Sequence, residues 1–167
     1  VAVVRGEPRA SLVTVPAEGR VPPFTPQAQR LVAEMRQRSS QFSEFDHPEL
    51  RPLAERCIVS FGSSAGPPML PNYFYNNNYT IVQTSDHVLV LSEMVHDYRI
   101  IRLGERQPMP NHVRPWFGDS WGRWEGDVLV VETTNMNPLH TLQGGVEPTE
   151  HTKVTERFRR VDEDTIV

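Results

Sequence analysis

The sequence predicts a mainly β fold: an antiparallel meander or partly open β-barrel with one N-terminal helix and long proline-rich loops. Three observations carry that reading. Residues 79–103 hold the densest apolar runs of the chain, in arms rich in β-branched and aliphatic residues split by Ser85-Asp86-His87. That is the composition of a hairpin with a polar turn. Residues 120–135 repeat the arrangement around Glu125-Gly126-Asp127, and only residues 26–38 carry apolar side chains at a convincing helical spacing.

Taken in order, residues 11–15 suit a short strand that ends in the Pro16-Ala17-Glu18-Gly19 turn. The helix follows. Thr25 is a good N-cap, Pro26 fits the first helical position, and Ala28, Leu31, Val32 and Met35 form one apolar stripe. A helical turn at 47–50 is kept short by Pro52. Residues 57–61 read as a strand, with Cys57 a buried small hydrophobe. A third strand region spans 151–161, with Val154, Glu156, Phe158 and Arg160 on one face. Asp162-Glu163-Asp164 then turns the chain towards a last strand at 165–167. Asp86, Asp127 and Asp164 each stand at a turn before an apolar strand. The intervening segments share no further pattern, which favours repeated hairpin chemistry over propeller blades.

A length of 167 residues suits a single β-rich domain, 1–167, with a real core. No apolar run approaches the roughly 20 residues of a membrane-spanning helix. A net charge of −4, with basic residues dispersed among acids, gives no electrostatic case for nucleic acid. The single cysteine excludes an internal disulfide and a cysteine-cluster metal site. The chain starts at Val1 without a methionine and stops as a strand begins. A strand without a return partner leaves an open edge, so the expectation is a fragment of a longer mature protein.

The best acid–base candidates are His96 and Asp97, with Glu93 close by in sequence. A carboxylate bonded to one imidazole nitrogen orients the ring and raises its basicity, which suits a general base. Neighbours on a continuous strand point to opposite faces, so this pair shares a site only through a turn or bulge. The structural alternative is a salt-bridged corner in which Arg99 or Arg102 pairs with a carboxylate. Tyr75, Asn76 and Asn78 precede the first hairpin, and Trp121, Arg123 and Trp124 open the second. With Arg99 they are the candidate ligand or interface residues, since aromatic, amide and arginine side chains orient ligands and anchor interfaces. The tryptophans fit the plug of a barrel end equally well.

Metal binding is not expected, because His87, His96 and His112 lack short ligand spacing. Gly62-Ser63-Ser64-Ala65-Gly66 has the letters of a nucleophile elbow and the glycines of a phosphate loop. Pro67-Pro68 denies it the helix both need, so no cofactor is expected.

The run Gly122-Arg-Trp-Glu-Gly-Asp-Val-Leu-Val-Val-Glu-Thr-Thr-Asn135 resembles the signature of an uncharacterised family of exported bacterial proteins, many from soil lineages. The resemblance extends through residues 19–26, 67–71, 75–79, 93–97 and 156–158. It implies export, to the periplasm, a lipocalin-like β fold and a longer parent sequence. No catalytic residue comes with it. The expected function is therefore an exported binding or accessory protein, on its own or as a subunit of a larger assembly. Its partner would be a small apolar or aromatic ligand or another protein. The alternatives are a small-molecule enzyme of lyase, isomerase or hydrolase type built on Glu93, His96 and Asp97, and a purely structural domain.

Overall fold

The structure, a computed structural model, describes residues 2–4, 7–9, 23–60, 65–70, 77–140 and 147–167. The strand expected at 11–15 lies outside them. The chain divides into two compact units, Val1–Pro52 and Leu53–Val167.

The first unit holds a two-stranded antiparallel ribbon, β1 (Ala2–Val4) with β2 (Glu7–Arg9), and the helix α1 (Pro26–Ser39). Thr25 caps the helix as expected: its Oγ1 accepts the Ala28 N–H at 3.2 Å, and Pro26 occupies the first turn, where no N–H is needed. A 3-10 turn at Pro48–Leu50 follows, with His47 Nδ1 accepting from Glu49 N–H.

The second unit is one six-stranded sheet in sequence order: β3 (Tyr79–Gln83), β4 (His87–Ser92), β5 (Tyr98–Leu103), β6 (Asp119–Glu125), β7 (Val128–Thr134) and β8 (Val154–Arg159). The fold is thus mainly β with a single helix, and both expected hairpins form. In the second, a two-residue turn places Gly126 at φ +64°, where a side chain would be strained. The sheet curls into a half-barrel: Ile81 and Gln83 of β3 and Phe158 of β8, its two edge strands, line one cavity of about 210 Å³ on the inner face.

The inner face is set by strict alternation. Val88, Val90, Ile101, Leu129 and Val131 are buried with Met69, and Tyr79, Leu103 and Phe158 pack against them. Gly122 makes the close approach of β5 and β6 possible. A Cβ there would meet Ile101 Cγ2 and Leu103 Cδ2 at 2.9 Å. After β8, Arg159 and Val167 exchange backbone hydrogen bonds, so the turn expected at 162–164 does fold the chain back.

Two expectations need correction. β5 and β6 pair in parallel, in register Ile101–Ser120, Arg102–Trp121 and Leu103–Gly122, so the sheet is not a pure antiparallel meander. Residues 104–118 run back along the sheet as the crossover that parallel pairing requires. Residues 57–59 are turn and bend rather than strand, and Ser60 is in no strand. Backbone bonds from Cys57 N to Ala54 O and from Ile58 N to Leu53 O close a tight turn, and Cys57 sits at φ +54° and is exposed. Val59 is the buried apolar residue of that segment. Among the described residues no helix is long and apolar enough to cross a membrane.

Candidate functional site

The outer face of β5 and the crossover 104–118 enclose a cleft of about 600 Å³. Its sheet wall carries His87, Ile100 and Arg102, and its crossover wall Met109, Pro115, Trp116 and Phe117. His96 and Asp97 close one end.

They meet there because β4 and β5 are joined by a tight reversal instead of a continuous strand. A 3-10 turn at Met94–His96 carries Val95 at φ +55° and His96 at φ +49°. A β-branched residue in the left-handed region is a conformational outlier, and such strain concentrates at functional sites. The reversal lets sequence neighbours line the same cleft. His96 is exposed, whereas Asp97 is 6% exposed. Asp97 Oδ2 accepts the Ser60 N–H at 2.7 Å. Burial pushes the Asp97 carboxyl above its ordinary range, against smaller opposing effects of the Ser60 bond and the His96 charge.

The crossover wall is held by contacts that sequence reasoning did not foresee. Asp119 pairs with Arg102 through Oδ1 and accepts the Met109 N–H at 3.0 Å through Oδ2. Arg102 also lies over the Trp121 ring, 4.3 Å from its centroid. Asn135 Nδ2 donates to Val113 O at 2.6 Å, and Asn137 N donates to Pro115 O at 3.0 Å. His140, 1% exposed, stands behind Trp116 and Phe117. Its Nδ1–H donates to Trp116 O at 2.7 Å, and its ring meets Phe117 edge-on at 5.3 Å. Burial lowers the His140 pKa, so the imidazole is a neutral prop. The run of hydrogen-bonding residues just after the second hairpin was the available signal, but only the parallel crossover brings their partners near.

The other candidates are dispersed. Glu93 accepts from Asn78 Nδ2 at 2.6 Å, and its N–H donates to Asn78 O, so both close the exposed end of the β3–β4 ladder. Arg99 points to the inner face and pairs with Glu156 of β8 at 2.7 Å. Trp121 is buried on the outer face, and Trp124 is half exposed at the mouth of the inner cavity. Arg123 forms surface pairs with Glu125 at 2.8 Å and Glu132 at 3.5 Å. Tyr75 and Asn76 lie outside the described residues. Neither Arg99 nor Arg102 pairs with the carboxylates of the 93–97 corner; both reach later strands instead.

Among the described residues no group of three His, Cys, Asp or Glu side chains could hold a metal ion. Comparison with protein-family models, curated proteins and solved structures finds no match to this chain.

Proposed function

We propose that the chain is an exported binding or accessory protein that holds a small molecule with an apolar or aromatic body in the cleft beside β5. The observation that carries this reading is the cleft itself. Its volume of about 600 Å³ falls in the roughly 300–1,000 Å³ range of small-molecule sites, which combine apolar walls with a few placed polar groups. Ile100, Met109, Trp116 and Phe117 supply the walls, and His96 and Asp97 the polar end. The side chains of Asp119, Asn135 and His140 tie down the crossover wall. A wall fixed in advance loses little conformational entropy when a ligand enters. Export and a lipocalin-like identity rest on the signature at 122–135, and the half-barrel is compatible with them.

Titration of the isotope-labelled protein with small aromatic fragments tests the reading. Saturable shifts are expected at Ile100, Met109 and Phe117, and Ile100→Arg should abolish them. Ile100 is 49% exposed, so that change should leave the melting temperature near wild type. Fragments that leave these amides unmoved, or binding that survives Ile100→Arg, would overturn it.

A second reading, a small-molecule enzyme, is favoured by one observation: His96 and Asp97 line the same cleft, with the carboxyl pushed up by burial. For a compound bound in the cleft, His96→Asn should then abolish turnover with affinity retained, because asparagine cannot shuttle a proton near neutral pH. Absence of turnover by the wild type, with affinity lost in the variant, favours binding alone.

A further inference from the structure

The charges around the cleft do not balance at one point. Arg102 is paired with Asp119, and Arg99, which also lines the cleft, turns its guanidinium to the inner face and pairs with Glu156. His87 Nδ1 lies 3.0 Å from Asp86 Oδ1. Asp97 has no such partner. It is more than nine-tenths buried, yet no cation lies within ion-pair distance among the described residues. One of its oxygens accepts from Ser60 N–H, and the other has no hydrogen bond among those residues. With most of the residue's surface out of water and one oxygen unbonded, this carboxylate is stabilised when a counter-charge arrives.

Resting on the cleft as the binding site, we infer that it selects a cationic ligand: a protonated amine on a small aromatic or aliphatic body, with Asp97 as its counter-ion. The cleft has both parts of such a site. Asp97 offers the free acceptor, and Trp116 and Phe117 offer aromatic walls on which an apolar body packs and whose faces attract a cation. An anionic ligand would meet an uncompensated carboxylate, and a neutral one would leave it unpaired. His96 and Tyr98 line the same end of the cleft, and neither forms an ion pair or a hydrogen bond with the Asp97 carboxylate among the described residues.

Three probes of one shape separate the possibilities: 2-phenylethylamine, 2-phenylethanol and phenylacetate, titrated at pH 7.5 by calorimetry and by amide shifts. The amine is expected to bind about tenfold tighter than the alcohol, the size of one charge-assisted hydrogen bond, and phenylacetate weakest of the three. Asp97→Asn keeps an acceptor for Ser60 N–H and should bring the amine down to the alcohol without weakening the alcohol. Equal binding of amine and alcohol, tighter binding of phenylacetate, or an amine preference that survives Asp97→Asn overturns the inference while leaving the cleft a binding site. Failure of all three probes to move the cleft amides removes the cleft reading as well. The charge series on the unaltered protein decides the matter even if the variant does not fold.

Discussion

Arg99 and Arg102 stand three residues apart on β5, point to opposite faces of the sheet, and each pair with a carboxylate from a later strand. Their surroundings give the two pairs different work. The Arg99 side chain is 1% exposed and Glu156 8%. Nε and Nη2 of Arg99 find no hydrogen-bond partner among the described residues, while Glu156 also accepts the Met69 N–H at 3.0 Å. This pair seals the polar end of the half-barrel. Arg102 is 26% exposed and stacks on Trp121, and its partner Asp119 anchors Met109 of the crossover. That pair shapes the cleft. The lesson is that an arginine–carboxylate pair is defined by what its remaining polar atoms face: sealed core for one, an open cleft for the other.

The comparison breaks most readily at Glu156. Glu156→Gln removes the charge that Arg99 requires in a site closed to water, and is expected to cost roughly 3–5 kcal/mol in urea unfolding. Asp119→Asn should cost less, about 1–3 kcal/mol, because Arg102 can rehydrate. Its distinguishing sign is faster hydrogen exchange at the Met109 amide with the core strands still protected. Equal losses for the two variants would erase the distinction between the faces.

Thr25→Ala, in the other compact unit, serves as a control. Loss of the cap should lower the stability of that unit by about 1 kcal/mol, seen by circular dichroism at 222 nm, and leave Met109 exchange unchanged.

The smallest effects are in pH, and they have opposite signs. The folded pKa of His140 lies below its ordinary 6.5. Its contribution is therefore full above that value and is lost as pH falls through the folded pKa. His140→Gln should flatten the acid limb of a plot of melting temperature against pH. The folded pKa of Asp97 lies above its ordinary 3.8. The native state then holds its proton more tightly than the unfolded chain, and stability declines as pH rises through the folded pKa. Asp97→Asn should be modestly more stable than wild type near neutral pH, with the gain vanishing in acid. A gain that grows on acidification would contradict the placement of Asp97.

What the sequence determined by itself was local. Alternation of apolar residues fixed both hairpins and the face that β8 buries. Thr25 and Pro26 fixed where α1 starts, and Glu125-Gly126-Asp127 fixed the second turn. Each depends on contacts between residues near in the chain, which leave their period in the letters. The strand read at 57–61 failed because a short apolar run is ambiguous; Cys57 at φ +54° closes a turn instead. Tertiary structure alone decided the rest. The length of 104–118 permits a crossover, yet nothing in its composition announces parallel pairing of β5 with β6. From that one pairing follow the outer cleft, the meeting of Arg102 with Asp119 and the use of His140 as a prop. Arg99 found Glu156 across 57 positions of sequence. His96 and Asp97 share a cleft only because Val95 and His96 adopt left-handed backbone. Partners brought together by sheet closure carry no spacing signal, since the order of strands, rather than distance along the chain, sets which side chains meet.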